Sequence, residues 1–356
     1  MKVFGYATQS PTSKLAPHRF ERREPRKDDV VIEILYCGVC HSDLHMARND
    51  WGWSFYPLVP GHEIIGRVSS VGSSVTRFKA GDHVGIGCMV DSCGHCSPCE
   101  HGLEQYCEEG NTLTYGSYDR LDKMPTYGGY SEKIVSSERF VVKIPDGLDL
   151  AGAAPLLCAG ITTWSPLRHW NVGKESKVAV IGLGGLGHMA LKLAHALGAE
   201  VTLFTRSIDK EEDARRLGAD HIVLSTDEKQ MVSVQGHFDL IIDTVPYVHD
   251  INPYLSTLSL NGTLVLVGYL GGLEPILSTV PLILGRKSVA GSVIGGIAET
   301  QEMMNFCGEH GITSDIEVIK MQEINTAYER MQKSDVKYRF VIDLASLKAD
   351  KKGEIV

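Results

Sequence analysis

The sequence predicts an α/β protein that joins a β-rich domain to a doubly wound parallel-sheet domain. Three observations support this fold class. Short β-branched runs interrupted by glycine fill the first third of the chain, strand and helix patterns alternate after about residue 150, and a last strand pattern stands near the C-terminus. A chain of 356 residues is also long for a single core, which favours two domains.

The first predicted domain covers residues 1–153. Its β-runs include DDVVIEILYCGVC, GRVSSVG, GDHVGIGC, GGYSEKIV and RFVVKIP, and no long helical pattern separates them. Runs of this length and spacing are typical of a barrel or a sandwich. The segment 295–356 adds two helical patterns, AETQEMMNFCGEHG and INTAYERMQ, and a strand, YRFVIDL. We expect that strand to return to the first domain and complete it.

The second predicted domain covers residues 154–294. It begins with a strand, a glycine turn, a helix and a second strand in SKVAVIGLGGLGHMALKLAHALGAEVTLFTRS. Further strand patterns follow in HIVLS, FDLIIDTV, GTLVLVG and KSVAGSVIG. This alternation predicts a parallel sheet of the Rossmann type with crossover helices.

The glycine turn, GLGGLG, has the G-x-G-x-x-G pattern in its expected context, with a strand before it and a helix after it. The first glycine permits a tight turn, the second lets the backbone approach a pyrophosphate, and the third allows close packing of the helix on the strand. The helix N-terminus favours the anion. The alternative is a glycine-rich turn without a ligand. The predicted dinucleotide-binding residues of the turn are Gly182, Leu183, Gly184, Gly185, Leu186 and Gly187.

The end of the second strand of this domain predicts which dinucleotide binds. NAD-binding proteins usually carry an acidic residue there for the ribose 2′-hydroxyl, whereas this chain has Arg206 between Thr205 and Ser207, with Lys210 one turn further on. A guanidinium and hydroxyls suit a 2′-phosphate. The pattern therefore favours NADP(H), and the alternative is that Arg206 is an ordinary solvated surface residue.

Charge and hydropathy exclude several classes of partner. The net charge of −9 argues against nucleic acid, because no basic surplus exists to neutralise phosphates. No N-terminal apolar run and no stretch of eighteen apolar residues is present, so we expect no signal peptide, no membrane association and a cytoplasmic location. In that reducing compartment the nine cysteines are expected to be metal ligands, reactive groups or buried apolar residues rather than disulfides.

Four of the nine cysteines, Cys93, Cys96, Cys99 and Cys107, follow the spacing C-x2-C-x2-C-x7-C, and we call them the four-cysteine cluster. Four thiolates around Zn²⁺ leave no open coordination position, so the pattern predicts a structural zinc site rather than a catalytic one. An iron–sulfur cluster is the alternative, although nothing else in the sequence calls for electron transfer.

A second set of potential metal ligands is dispersed along the chain. Cys40 ends a β-run, His62 and Glu63 follow a Pro-Gly turn, and Cys158 stands where the second domain begins. Two thiolates and one imidazole make a three-ligand zinc site with an open position, the catalytic type. Spacing alone cannot join residues so far apart, and taken singly Cys158 reads as a buried cysteine and His62 as a core histidine.

The whole chain resembles the zinc-dependent alcohol dehydrogenases of the medium-chain dehydrogenase/reductase superfamily, in their cinnamyl-alcohol-dehydrogenase-like branch. The resemblance rests on several motifs in the correct order: CGVCHSDLH, YPLVPGHEIIGRV, GDHVGIG, the four-cysteine cluster, GGYSE, APLLCAGIT, GLGGLGH, GSVIGG and YRFVID. It implies that the β-rich part is a GroES-like catalytic domain and that each chain holds two zinc ions.

The resemblance also implies a role for each dispersed ligand. Cys40, His62 and Cys158 would bind the catalytic zinc, Glu63 would be an intermittent fourth ligand, and Asp43 would hold His62 in its tautomer. We call Cys40, His62, Glu63 and Cys158 the dispersed cluster. Zinc in such a site acts on the substrate oxygen as a Lewis acid. In this family a hydroxyl and a histidine carry the proton, and Ser42 and His45 match those two positions.

Further positions follow from the resemblance alone. His41 would face the cofactor phosphates and Arg339 the pyrophosphate, while Trp51 and Trp53 would line the substrate pocket. The apolar strand pattern KSVAGSVIG would pair across a two-fold axis in a homodimer. The residues expected around the nicotinamide and its ribose are Thr162, Thr244, Val245, Gly268, Ser292 and Ile294.

The function implied is the interconversion of primary alcohols and aldehydes, aromatic or medium-chain aliphatic, by an NADP(H)-dependent zinc alcohol dehydrogenase that acts as an aldehyde reductase. Three alternatives were considered. Polyol dehydrogenases usually lack the four-cysteine loop and carry an acid after the second strand. A zinc-free quinone reductase would not need Cys40, His62 and Cys158 together, and a zinc-ribbon-like module would use the four-cysteine cluster to bind nucleic acid or a partner.

Overall fold

The computed structural model describes residues 1–268 and 271–353 and contains a β-rich unit and a parallel-sheet unit. The strands in chain order are β1 (Lys2–Ala7), β2 (Ala16–Glu21), β3 (Asp29–Val39), β4 (Ile64–Val71), β5 (His83–Ile86), β6 (Met89–Asp91), β7 (Thr112–Leu113), β8 (Lys133–Ser137), β9 (Val142–Lys143), β10 (Lys177–Ile181), β11 (Glu200–Thr205), β12 (His221–Leu224), β13 (Phe238–Asp243), β14 (Leu258–Leu266), β15 (Ser288–Gly291), β16 (Ile316–Lys320) and β17 (Arg339–Asp343).

The α-helices are short, and most of them lie in the second half of the chain. In chain order they are α1 (His41–Arg48), α2 (Ser97–Glu100), α3 (Leu150–Ala153), α4 (Ala159–His169), α5 (Gly187–Ala196), α6 (Glu211–Arg216), α7 (Glu228–Ser233), α8 (Asn252–Thr257), α9 (Val280–Gly285), α10 (Ile297–His310), α11 (Ile324–Gln332) and α12 (Leu347–Gly353).

The β-rich unit comprises Met1–Cys158 and the segment from Gly295 onward. Its main sheet has the strand order β16-β17-β3-β4-β5-β9, and β8 pairs with β3. The long strand β3, with the sequence DVVIEILYCGV, is buried along most of its length and pairs antiparallel with β4, β8 and β17. The C-terminal strand therefore returns to the first sheet, as the sequence predicts.

The parallel-sheet unit comprises Ala159–Ile294. Its sheet has the order β12-β11-β10-β13-β14-β15, and every pair of neighbours is parallel. The strand order reverses direction between β10 and β13, and in doubly wound folds the ligand binds at such a switch point, at the carboxyl ends of the strands. The predicted fold class, a Rossmann-type parallel sheet together with a β-rich domain, is confirmed.

The boundary between the units falls after Cys158, whereas the sequence places it at residue 153. The second boundary falls after Ile294. Within the described residues no single helix is long and apolar enough to cross a membrane, and only the bent pair Leu150–Leu157 and Ala159–His169 has that length and composition when taken together.

Candidate active site, metal centres and cofactor site

Cys40 is positioned by the junction between a strand and a helix. Strand β3 ends at Val39, and Cys40 is the N-cap of α1. The backbone N–H of Cys40 donates to Asp43 Oδ2 at 2.9 Å, so the first turn of the helix fixes both residues in a capping box. The thiol therefore stands at a helix N-terminus, where the macrodipole favours a thiolate.

His62 is positioned by the turn that precedes it. Gly61 has a φ of +104°, and a Cβ there would lie 2.7 Å from the Tyr130 ring and 2.8 Å from Cys37 Sγ, so only glycine fits. The Gly61 N–H donates to Asp43 Oδ1 at 3.0 Å, and His62 Nδ1 lies 3.1 Å from the same oxygen. With Nδ1–H facing Asp43, the lone pair of Nε2 is available to a metal.

The dispersed cluster comes together in the β-rich unit. One ligand atom from each of Cys40, His62, Glu63 and Cys158 lies within 4.8 Å of the others, and all four residues are buried. The two sulfurs are 4.0 Å apart. Thiolates bound about 2.3 Å from a tetrahedral zinc ion lie about 3.8 Å from each other, so the donor set and its spacing fit zinc.

The ligands of the dispersed cluster hold protons that a divalent cation would displace. The hydrogen bond between the two sulfurs lowers the pKa of Cys40 well below its usual value and raises that of Cys158, so the pair holds one proton between two sulfurs. Burial by itself would lower the pKa of His62, but Asp43 raises it well above the usual value. A divalent ion is what allows both thiols to ionise, since metal binding displaces the shared proton.

Glu63 has a partner that sequence reasoning missed. The guanidinium of Arg339, on β17, forms an ion pair with Glu63 Oε1, and both side chains are buried. Burial raises the pKa of Glu63 to about 7, although Arg339 opposes that shift. Glu63 Oε2 has no hydrogen-bond partner among the described residues. One carboxylate oxygen is therefore tied to Arg339 while the other is available for a metal.

Arg339 thus lies against Glu63, whereas the resemblance assigns it to the cofactor pyrophosphate, and that assignment stays a prediction. A signal for the ion pair was present in the sequence. Arg339 stands at the start of the apolar strand RFVID, where a buried cation needs an anion to offset its desolvation. Nothing in the sequence, however, indicates which acidic residue supplies the charge.

Asp43 is itself enclosed by tyrosines that sequence reasoning did not identify. The Tyr130 hydroxyl donates to Asp43 Oδ2 at 3.3 Å, and the Tyr328 hydroxyl lies 3.5 Å from that of Tyr130. The Tyr115 ring stacks on His62 with 5.8 Å between the ring centroids. These buried aromatic residues hold Asp43 and His62 in place.

The two predicted proton-relay residues, Ser42 and His45, both lie in helix α1. They are three positions apart and therefore on the same side of the helix. His45 Nδ1 lies 2.8 Å from Asp50 Oδ2 in a partly exposed contact. Next to Cys40, burial lowers the pKa of His41. The rings of His45 and Trp51 stack at 5.5 Å and those of Trp51 and Trp53 at 5.9 Å, so an aromatic row begins at the helix and ends with Trp53, which is 47% exposed.

The four-cysteine cluster closes on itself within one loop. Cys93 Sγ is 3.9 Å from Cys99 Sγ, and Cys96 Sγ is 4.0 Å from Cys107 Sγ, again the spacing of tetrahedral zinc ligands. Backbone N–H groups of His95 and Cys96 donate to Cys93 Sγ at 3.5 and 3.3 Å. These hydrogen bonds, that from His95 first, lower the pKa of Cys93 to about 6. Four sulfurs fill the coordination sphere and leave no position for a substrate.

The glycine turn has the geometry that a close approach between its backbone and a pyrophosphate requires. Gly182 has a φ of +87°, and a Cβ on Gly187 would lie 2.1 Å from the Gly182 carbonyl oxygen. A Cβ on Gly184 would meet nothing within 4 Å, so that side of the turn has space for a ligand. Helix α5 starts at Gly187, which directs its N-terminus at that space.

The predicted 2′-phosphate residues lie at the end of β11. Thr205 is buried, and Arg206, Ser207 and Lys210 follow it at the surface. The Ser207 hydroxyl donates to Asp209 at 2.7 Å, and Lys210 Nζ donates to the Leu183 carbonyl at 3.1 Å. The lysine therefore links this segment directly to the glycine turn.

The remaining predicted cofactor residues also belong to the parallel-sheet unit, but they lie on different helices, strands and loops of it. The Thr244 hydroxyl donates to the Ile181 carbonyl at 2.7 Å, which places it beside the glycine turn. Thr162 is buried in α4, Gly268 approaches Val245, and Ser292 and Ile294 follow β15. Their contacts with a cofactor stay a prediction.

Comparisons with known proteins agree with this geometry. Residues 26–146 match the family model described as alcohol dehydrogenase GroES-like domain, and residues 185–309 match that of the zinc-binding dehydrogenases. The chain is 52% identical to the NADP-dependent alcohol dehydrogenase C of Mycobacterium bovis over 97% of this chain and 99% of that one. It is 51% identical to the aldehyde reductase YahK of Escherichia coli over 98% and 99% of the two chains. Among solved structures, a cinnamyl alcohol dehydrogenase from Sorghum bicolor superposes with a TM-score of 0.93 at 46% identity and covers 97% of this chain and 98% of that one.

Proposed function

The chain belongs to the zinc-dependent alcohol dehydrogenases of the medium-chain dehydrogenase/reductase superfamily, and from this premise we propose that it is an NADPH-dependent aldehyde reductase acting on aromatic and medium-chain aldehydes. The dispersed cluster is the observation that carries the proposal, because it unites two thiols, an imidazole and a carboxylate in one buried site. A zinc-free quinone reductase would not need that set, so the alternative is not favoured.

Two residues beyond the ligands support the proposed active site. Zinc held by Cys40, His62 and Cys158 supplies Lewis acidity toward the substrate oxygen. Asp43 holds the imidazole in the tautomer that binds metal, and Arg339 neutralises Glu63 so that the site does not carry an excess of buried anions. Both interactions need only this chain's own side chains.

In the proposed reduction, bound NADPH would supply a hydride to the carbonyl carbon, and the carbonyl oxygen would become a hydroxyl by taking a proton. Ser42 would donate that proton and be reprotonated from His45 through the cofactor ribose, as the family resemblance implies. His45 suits the outer end of this relay because it is partly exposed and paired with Asp50.

The proposed cofactor and substrate preferences depend on exposed and half-buried residues near these sites. Arg206, Ser207 and Lys210 offer cationic and hydroxyl donors at the strand end where an acid would hold the 2′-hydroxyl of NAD. The stacked rings of Trp51 and Trp53 offer flat apolar surface to an aromatic aldehyde. We therefore expect cinnamaldehyde and benzaldehyde to be turned over faster than short aliphatic aldehydes.

We further propose a cytoplasmic homodimer. Strand β15 is the edge of the parallel sheet, and the preceding helix α9 exposes Ile283 at 76% and Leu284 at 82%. An apolar edge of this kind suits isologous pairing with a second copy. All nine cysteines are free of disulfides, and thiolate metal sites persist best in a reducing compartment. Light scattering would measure the molar mass in solution. The mass of a monomer would contradict the proposed dimer.

A panel of aldehydes with NADPH and with NADH, on protein of measured zinc content, tests the activity. Arg206→Asp should reverse the cofactor preference, because a carboxylate repels the 2′-phosphate and accepts the 2′-hydroxyl. Lys229→Asp, on α7 of the same unit, makes the same charge change and serves as the control. No aldehyde turnover by protein carrying about two zinc ions would contradict the activity, and an unchanged cofactor ratio in Arg206→Asp would contradict the role of Arg206.

A further inference from the structure

We propose that Asp243 and a protonated His249 form an ionic clasp that holds the segment 244–249 in the shape that receives the cofactor, which makes His249 a positioning residue for cofactor binding. We call this segment the clasp loop. The inference rests on the proposed function, since it concerns the same NADP(H) site. None of the roles assigned above uses His249.

The clasp loop begins beside the glycine turn. Asp243 ends β13 and is in register with Ile181, which ends the adjacent parallel strand β10. The Thr244 hydroxyl donates to the Ile181 carbonyl, and a Cβ on Gly182 would lie 3.1 Å from Val245 Cγ2. The loop therefore forms a wall of the space above the carboxyl ends of the two strands, where a dinucleotide binds in this fold.

The contact between Asp243 and His249 specifies a charge state. Asp243 is fully buried, and its Oδ1 accepts the Val245 N–H at 3.1 Å. Its Oδ2 lies 3.1 Å from His249 Nε2, and the two atoms have no other hydrogen-bond partner among the described residues. Their alignment is that of an ion pair rather than of a linear hydrogen bond.

The second ring nitrogen of His249, Nδ1, also faces a hydrogen-bond acceptor. His249 Nδ1 lies 2.8 Å from the Tyr247 carbonyl oxygen, which can only accept a hydrogen bond, so Nδ1 carries a hydrogen. An ionised Asp243 also only accepts, so Nε2 must carry a hydrogen as well. An imidazole between two acceptors is an imidazolium. The close contact with the Asp243 carboxylate accordingly raises the pKa of His249 above its ordinary value, despite partial burial.

The other groups around the His249 imidazole either raise its pKa further or leave it unchanged. Asp250 adds a second negative charge next to it in the chain, and the edge of the Tyr254 ring lies 6.4 Å away. Burial raises the pKa of Tyr254, so that ring stays neutral where His249 titrates. Asp243 and Asp250 are thus the charges that face His249.

The sign of the pH effect follows from this geometry. Because the pKa of His249 is raised in the folded protein, the clasp is complete at low pH and is lost as the pH rises through that pKa. The deprotonated Nε2 then presents a lone pair to a buried carboxylate, which leaves the charge of Asp243 unpaired. The loop relaxes, and a smaller fraction of the protein is competent to bind the cofactor.

The test measures the affinity of the zinc-loaded, full-length enzyme for ADP-ribose 2′-phosphate by calorimetry between pH 7 and pH 9. This probe lacks the nicotinamide, and its 2′-phosphate has a second pKa of about 6, below the window. We expect the wild-type Kd to rise roughly three- to tenfold across the window, as the competent fraction falls. His249→Gln should bind more weakly at pH 7 and show no such rise.

His221→Gln is the matched control, because it removes a histidine from β12 of the same unit and should retain the wild-type profile. Asp243→Asn should also abolish the rise, which keeps the test decisive if His249→Gln does not fold. In steady-state assays the KM for NADPH should change in His249→Gln while kcat with a saturating aldehyde does not. A purely structural role for the histidine would not produce that split.

Equal pH profiles in wild type and His249→Gln, or a flat wild-type profile, would overturn the clasp. Neither result would contradict the proposed function, since the cofactor fragment would still bind. Absence of binding by wild type at every pH, together with absence of NADPH oxidation in the presence of aldehydes, would instead contradict the proposed NADP(H) site.

Discussion

The four-cysteine cluster and the dispersed cluster lie in the same unit and share a preferred ion, but they are held in opposite ways. In the four-cysteine cluster, sulfurs within one loop receive hydrogen bonds from backbone N–H groups of that same loop, such as those of His95 and Cys96. In the dispersed cluster the ligands come from distant segments, and their supports, Asp43 and Arg339, are buried side chains. Local support yields a closed site that stabilises a loop, whereas long-range support yields an open site whose ligands are tuned by charge.

The density of a metal motif in the sequence does not indicate where chemistry occurs. Four thiolates saturate zinc, so the more conspicuous motif has no position for a substrate. In the dispersed cluster, Cys40, His62 and Cys158 would leave a position open, and Glu63, which pairs with Arg339, would be the carboxylate that occupies it intermittently.

The largest effect is expected from His62→Ala. Loss of a catalytic ligand removes several kcal/mol of transition-state stabilisation, so kcat/KM for aldehyde reduction should fall on the order of 10³-fold or more. Stopped-flow recording of NADPH oxidation measures this, with Cys307→Ala, a buried thiol outside both clusters, as the control. A His62→Ala enzyme with near-wild-type turnover would break the contrast.

A large effect of a different kind is expected from Cys107→Ala. The loop loses a zinc ligand and the stability that the metal gives it, so the melting temperature should fall by roughly 5–10 °C, equivalent to a few kcal/mol for a domain of this size. The bound zinc should decrease by about one ion per chain while the folded enzyme still reduces aldehydes. Calorimetry and metal analysis measure both. Loss of hydride transfer in a still-folded, fully stable variant would show that the four-cysteine cluster takes part in the chemistry.

An intermediate effect is expected from Asp43→Asn. The amide can present a donor rather than an acceptor to His62 Nδ1, which disfavours the tautomer that binds metal. Changes to the residue that hydrogen-bonds a metal-binding histidine typically weaken metal affinity about 10–100-fold. Competition with a chelator should show faster loss of one zinc ion only. Asp91→Asn, next to the four-cysteine cluster, is the control that should leave the exchange rate of the catalytic ion unchanged. Equal zinc retention in Asp43→Asn and wild type would remove the proposed role of the acid.

The smallest effect is expected from Tyr130→Phe. The variant deletes the 3.3 Å hydrogen bond to Asp43 but keeps the ring packed, at a cost of about 1 kcal/mol. Zinc release from the dispersed cluster should accelerate a few-fold, measured with the same chelator. A faster release from the four-cysteine cluster instead would mean that the tyrosine acts through the fold and not through Asp43.

Local patterns predicted much of the fold. The run DDVVIEILYCGVC corresponds to β3, INTAYERMQ to α11 and YRFVIDL to β17, because each is a periodic or β-branched segment with clear ends. The hairpin of β1 and β2 was missed: alternation in APHRFE is weak, and its strand partner KVFGYA is buried almost throughout. Strand β16 was also missed, since IEVIK is short and largely exposed.

In the candidate site, too, local sequence patterns predicted some features and could not predict others. The four-cysteine cluster and the glycine turn were predictable from spacing, because their members are neighbours in the sequence. The union of Cys40, His62 and Cys158 required the family resemblance, since no spacing rule joins them. The Glu63–Arg339 pair and Tyr130 were not predicted at all. Buried partners of this kind are chosen by tertiary packing, and the sequence shows only that a charged or polar side chain stands in an apolar strand or turn.

The most direct test of the contrast between the two clusters is absorption spectroscopy of enzyme in which cobalt(II) replaces both zinc ions. Addition of benzaldehyde with a redox-inactive cofactor analogue should shift the d–d bands of the site with two thiolates and an imidazole, and leave those of the four-thiolate site unchanged. The substrate-sensitive bands should be absent from His62→Ala and present in Cys107→Ala. A substrate-induced shift that persists in His62→Ala and disappears in Cys107→Ala would contradict the account.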